Sequence, residues 1–195
     1  MEPVNRLSKV LIGKDVDVLS PFPRRLLPQA AQWLHCHPTL TITDNSPHSP
    51  EDLQDLLEQA LVAQPSFAIV DKHNLSRVKS TDLPVVGIVT VEHLPPWSAY
   101  VHIASNRKAW GDRLAQPGLL EQGGLLILEE LFRAYPELLR VNAAPLAHNA
   151  AARGLCKRLG FVQDGLFEDA VRVGGKIKGI VHYGITRSAW ENPHG

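Results

Sequence analysis

The sequence predicts an α+β or α/β sandwich: a β-sheet with helices on its faces. Two helical patterns lie near the start, and three strand-like segments follow between residues 66 and 104. After a long helix, residues 141–165 (VNAAPLAHNAAARGLCKRLGFVQDG) read as strand, loop, helix and strand. Helices interleaved with strands in this order cover both faces of one sheet.

Residues 15–19 alternate as a short strand, stopped at Pro21-Phe22-Pro23. Residues 26–34 place Leu27, Ala30, Ala31 and Leu34 on one helical face. Residues 37–49, rich in Thr, Pro, Asn and Ser, read as loop. The next helix opens with Ser49 as N-cap, Pro50 in the first turn, and Glu51 and Asp52 at its positive end. It ends at Gln64-Pro65. Residues 66–70, 85–91 and 99–104 are strand candidates, the second the richest in β-branched side chains. A long helix is expected over 119–134 and a strand over 140–143. Asn149 opens another helix and Gly160 closes it. Residues 161–162 and 176–185 are the last strands, with Gly174-Gly175 at a hairpin turn.

The bulk properties suit one globular domain spanning residues 1–195, with 44% hydrophobic and 21% charged residues. Twenty basic and twenty acidic side chains cancel, which argues against a general electrostatic grip on nucleic acid. Cys36 and Cys156 lie far apart, and reduced thiols are the simpler expectation. Neither a secretory signal nor a run of ~20 apolar residues is visible, so a soluble, cytoplasmic protein with no membrane partner is expected. His35-Cys36-His37 lacks a second ligand pair at zinc spacing, so no metal is expected.

Asn149, Ala152, Cys156 and Gly160-Phe161 follow the spacing Asn, small residue, apolar or Tyr residue, Gly-Phe. This segment resembles the C-terminal signature of the GCN5-related N-acetyltransferases, particularly the branch that modifies ribosomal-protein N-termini. The final KIKGIVHYGITRSAW resembles that branch's last strand and Arg-x-x-Trp ending. The resemblance implies a mixed, mostly antiparallel sheet whose central strands splay apart near Ala104 and Asn142. It also implies acetyl-CoA or another acyl-CoA as co-substrate, without a metal. A small-molecule or peptide amine would attack the thioester directly, with no covalent enzyme intermediate.

Such chemistry needs clustered N–H donors for a pyrophosphate, a strand edge for the pantetheine arm, a base for the amine and a proton for the thiolate. The resembling family supplies the first with a Gln/Arg-x-x-Gly-x-Gly/Ala loop. The best register here is Gln116-Pro117-Gly118-Leu119-Leu120, with Leu120 at the second small position and Gly123-Gly124 just inside the helix. Ile103 and Ala104 offer the strand edge. Asn149 is either a helix cap alone or also a cofactor contact, and Arg153, one turn on, reaches a phosphate or is simply solvated. Cys156 stands where relatives carry an acidic Tyr, and is either a proton donor, an acylation site or core packing. For the base, Glu92 and His93 end one strand, and His102 shares a strand face with Tyr100 and Ala104. Ser105 is a candidate to polarise the thioester carbonyl. Trp33, Trp97 and Trp110 either line an acceptor pocket or pack. The alternatives are an inactive binding or structural protein of the same fold, and a longer or carrier-bound acyl donor. Acceptor and oligomeric state are left open.

Overall fold

The computed structural model describes residues 9–35, 49–72, 85–92, 97–105, 118–173 and 175–192. Its strands are β1 (Lys9–Ile12), β2 (Val16–Ser20), β3 (Ser66–Asp71), β4 (Val85–Glu92), β5 (Ser98–Ser105), β6 (Arg140–Ala143), β7 (Val162–Val173) and β8 (Lys176–Thr186). Its helices are α1 (Leu27–His35), α2 (Pro50–Ala63), α3 (Leu119–Ala134), α4 (Ala150–Arg158) and α5 (Arg187–Glu191). The eight strands form one sheet in the order β1-β2-β3-β4-β5-β6-β8-β7. Every neighbouring pair is antiparallel except β5 and β6, which run parallel.

Two apolar layers hold the sheet. On one face Ile127, Leu128, Leu131 and Phe132 of α3 and Cys156 of α4 pack with Val16, Val18, Phe67, Ile69, Val141, Val181, Tyr183 and Ile185. On the other, Leu27, Ala30 and Ala31 of α1 and Leu53 of α2 pack with Ala68, Val70, Val85 and Ile88. Strand β3 sends alternate side chains to each layer, so all six of its residues are buried. None of the second layer's members lies on β6, β7 or β8. That half of the face carries the site described below.

The chain stops and starts its helices by the expected local chemistry. Ser49 Oγ accepts from the Asp52 N–H at 3.0 Å, and Asn149 Oδ1 accepts from the Ala152 N–H at 3.1 Å. At the end of α4, Gly160 takes φ +85°. Its N–H donates to Lys157 O at 3.1 Å, and the Phe161 N–H donates to Cys156 O at 3.0 Å. This reciprocal pair satisfies two orphan carbonyls of the last turn. The Gly-Phe of the signature is therefore a helix stop.

Three features depart from expectation. Strand β1 was not foreseen, and only its Leu11 packs on the core while Val10 and Ile12 are exposed. Strand β7 runs twelve residues rather than two. Its exposed, charged sequence lacks period-two alternation, and its ladder comes from β8. Helix α5 is new, capped by Thr186 Oγ1 accepting from the Ala189 N–H at 3.2 Å. It carries the Arg-x-x-Trp ending, whose residues are structural here. The Arg187 guanidinium donates to the carbonyls of Phe132, Tyr135 and Leu138 at 2.8, 2.7 and 3.0 Å. Trp190 stacks on Phe132 with ring centroids 6.1 Å apart.

Candidate active site

The parallel pair β5–β6 has three rungs: Ser98↔Arg140, Ala99↔Val141 and Tyr100↔Asn142. Beyond Tyr100, β5 continues to Ser105 bonded only to β4. Strand β6 ends at Ala143, and the chain turns away to bridge Leu146 with Ile180. The strands therefore part at Tyr100 and Asn142, leaving one edge of residues 101–105 without a strand partner among the described residues. Ile103 and Ala104 lie on this edge. Such an edge offers backbone donors and acceptors to an extended amide-bearing chain.

Helix α3 begins behind Gly118, whose φ of +117° is one that L side chains rarely adopt. The Gln122 N–H donates to Gly118 O at 2.7 Å. By helix geometry the N–H groups of Leu119, Leu120 and Glu121 have no intrahelical carbonyl, so they suit an anionic group. The Gln122 side chain ties this end down: Nε2 donates to Asp15 Oδ2 at 2.8 Å, and Oε1 accepts from the Asp15 N–H at 3.2 Å. Gln116 lies outside the described residues. Leu120 occupies its unusual position by resting on Gly87 of β4, where a Cβ would come within 2.8 Å of Leu120 Cδ2. Its side chain thus fills space over β4.

Gly123 and Gly124 have packing roles. A Cβ at Gly123 would sit 2.7 Å from both Cδ1 and Cγ2 of Ile69, and one at Gly124 would sit 2.8 Å from Leu159 Cδ2. Both glycines are buried. They admit β3 and α4 close to the helix.

The structure narrows the readings of Cys156 and departs from both readings of Arg153. Cys156 is buried in the apolar layer under α4, and burial pushes its thiol up from an ordinary 9.0 to about 11. A thiol so placed is neither a nucleophile nor a ready proton donor. Arg153 turns its guanidinium inward: Nη1 donates to Ala147 O at 3.0 Å and Nε faces the Tyr183 hydroxyl at 3.5 Å. It braces the loop ahead of α4 instead of reaching out to a phosphate. Asn149 acts as a helix cap.

Glu92 and His102 come together. Glu92 ends β4 and His102 lies on the free-edged part of β5, with Nε2 3.2 Å from Oε2. Ser105 ends β5 opposite Gly87, about 10 Å further along the strand at ~3.3 Å per residue, so it stands apart from this pair. Trp97 lies at the paired end of β5, where its carbonyl accepts from the Leu139 and Arg140 N–H groups. It is thus remote from the splay. The side chains of Trp33 and Trp110, together with His93, Cys36 and His37, lie outside the described residues.

The register reveals residues that spacing did not. Glu92, Tyr100, Asn142, Gly184 and Val162 form one row across β4, β5, β6, β8 and β7. Paired residues share a face, so this row crosses the half over which no described helix packs and where the strands part. His182, on the splayed side of the row, meets Tyr100 edge-on at 6.5 Å and Phe167 at 4.6 Å between centroids. His102 and His182 thus stand on opposite sides of the gap, with Tyr100 at its closed end. Of these, the sequence singles out Glu92, Tyr100 and Asn142, while His182, Phe167 and Gly184 carry no signal there.

An open, mostly antiparallel eight-stranded sheet with one parallel, splayed central pair is the fold of the GCN5-related N-acetyltransferases. A GNAT-family acetyltransferase from Bacillus anthracis matches at TM-score 0.71 and 12% identity, over 92% of this chain and 99% of that one. The ribosomal-protein-S5-alanine acetyltransferase from Vibrio fischeri matches at TM-score 0.70 and 17% identity, over 93% and 98%. A RimL ribosomal L7/L12 alpha-N-protein acetyltransferase in complex with coenzyme A matches at TM-score 0.71 and 12% identity, over 91% and 98%. At these identities the likeness is one of fold. No protein-family model and no curated protein matches the sequence.

Proposed function

We propose that the chain is a single-domain N-acyltransferase that moves an acyl group, acetyl by default, from acyl-CoA to a primary amine. The acceptor is a protein N-terminus or a small molecule, and the amine attacks the thioester directly. The observation that carries this is the edge of residues 101–105, left free where β5 outruns β6. Leu120 at the N-terminus of α3 rests on β4, and the Glu92–His102 pair joins β4 to β5.

His102 is the base. Its Nε2–H donates to Glu92, which fixes the ring and leaves the Nδ1 lone pair to take the ammonium proton. Backbone N–H groups along the free edge hold the thioester carbonyl as it becomes an oxyanion. Collapse breaks the C–S bond, and the nitrogen's second proton passes through solvent to the CoA thiolate as the amide forms. His102 returns the first proton to solvent. Cys156 has no part in this.

Titration with acetyl-CoA tests the proposal. A ligand that binds only the folded state adds about 2.7 kcal/mol at roughly 100 times its Kd, so the melting temperature rises. Release of CoA thiol with a panel of amines and free-N-terminus peptides then reports transfer. Absence of any shift at millimolar ligand would remove the basis for the proposal. Leu120 at the small position and the buried Cys156 favour one other outcome, an inactive binding protein. It would show a shift without transfer to any amine. A shift with longer acyl-CoA alone would identify a longer-chain donor.

A further inference from the structure

A chain of polar side chains crosses the half of the α1–α2 face over which no described helix packs, and ends where the slot opens. Asp164 sits in β7 where the register with β8 shifts between Gln163 and Gly165, so it has no cross-strand partner. A residue added to a strand in this way re-aims its side chain. Asp164 Oδ2 pairs with Arg140 Nη2. The Arg140 guanidinium lies over Gly184 of β8, where any Cβ would overlap it. Arg140 Nε donates to Asn142 Oδ1 at 2.7 Å, and Asn142 Nδ2 donates to Ala99 O on β5 at 3.1 Å.

We infer that Asn142, oriented by Arg140 and Asp164, pins the last rung between β5 and β6 and thereby sets where the acyl-donor slot begins. The functional part rests on the acyl transfer proposed above. A parallel pair of three rungs is a weak seam, with one strand free beyond it. Asn142 lies on the final rung and adds a side-chain donor to the neighbouring strand's carbonyl. An amide can turn either end toward a carbonyl, and Arg140 Nε on Oδ1 leaves only the NH₂ end facing Ala99. Asp164 and the bare backbone of Gly184 then hold Arg140 flat. Arg140 and Asp164 are 33% and 44% exposed, so their ion pair adds little to global stability. Its consequence is local: the free edge starts at residue 101, one step beyond the pinned rung. Asn142, Arg140 and Asp164 are positioning residues.

Asn142→Asp is the discriminating variant, because it keeps an oxygen for Arg140 but has no donor for Ala99. Three quantities are read: backbone amide exchange in the unliganded protein, Kd for CoA by calorimetry, and the melting temperature. Exchange at residues 99–102 and 142–143 should quicken about tenfold and Kd should weaken about fivefold, the scale of one hydrogen bond. With an amine acceptor, the acyl-CoA KM should rise while kcat stays within about threefold. Asp164→Asn should give a smaller change in the same direction. Unchanged exchange at those residues, or exchange quickened evenly across the sheet with a falling melting temperature, overturns the inference. If the wild-type protein binds no CoA, the acyl-transfer proposal fails on that result, and local exchange alone decides the pin.

Discussion

His102 and Glu92 meet diagonally across adjacent strands. The register pairs His102 with Thr90 and Glu92 with Tyr100, yet His102 Nε2 lies 3.2 Å from Glu92 Oε2. Diagonal neighbours on one sheet face stay within reach of long side chains. With the two side chains 53% and 39% exposed, the pair contributes little to folding. Its value lies in orienting the imidazole beside the gap.

Replacement of His102 by Ala should therefore lower kcat for acetyl transfer by about 10²–10³-fold, the scale of a lost general base. Glu92→Gln, which keeps a hydrogen-bond acceptor, should cost roughly tenfold. Acetyl-CoA affinity should stay within about twofold in both variants. Steady-state kinetics with calorimetry checks this, and equal activity of all three proteins would exclude His102 as the base.

Cys156 should resist thiol reagents until the protein unfolds, and Cys156→Ser should keep kcat within about threefold of wild type. Its raised pKa also gives a stability signature. The folded thiol holds its proton to about 11, whereas the unfolded thiol loses it from about 9.0 upward. The stabilisation is thus fully present below pH 9 and is lost as pH rises toward 11, by up to about 2 kcal/mol. Urea denaturation over that window should show the decline in wild type and a shallower one in Cys156→Val.

Gly123→Ala should destabilise the protein by about 1–3 kcal/mol, because the added Cβ meets three atoms of Ile69 within 2.8 Å. Ile69→Ala in the same chain should recover part of that loss despite being harmful alone. A double-mutant cycle by chemical denaturation measures the coupling. Additive losses would show that the helix shifts and the contact is not rigid.

Arg187→Ala should cost about 2–4 kcal/mol. It strips the carbonyls of Phe132, Tyr135 and Leu138 of a charged donor and removes a guanidinium 5.0 Å from the Phe132 ring centroid. Arg187→Lys cannot span three carbonyls and should restore only part. Thermal denaturation decides it, and a neutral Ala variant would contradict the clamp.

Much of this architecture was legible in advance, and unevenly so. Helix α3 and strand β6 fall where the sequence placed them, at Leu119–Ala134 and Arg140–Ala143. The caps of α2 and α4 were equally plain, since a cap is a contact between residues three apart. Strand β7 was cut to two residues because Gln163, Asp164, Glu168 and Asp169 carry no strand signature of their own. At the site, Glu92 and His102 could be named as separate candidates, but their contact could not. For Arg153 and Cys156 the sequence leaves several readings open for one reason: a helix periodicity shows that two residues share a turn, and not which neighbour fills the space beside them.

Nearest-neighbour chemistry along the chain determined how α2 and α4 are capped, which strands are apolar, and that Gly160 closes α4. Those outcomes depend on residues within a turn of one another. The tertiary structure alone decided where β5 parts from β6, that His182 faces His102 across the gap, and that Cys156 is sealed in the core. Each of these rests on strand registers between residues 40 to 46 positions apart, which are set by packing the whole sheet at once and leave no local imprint.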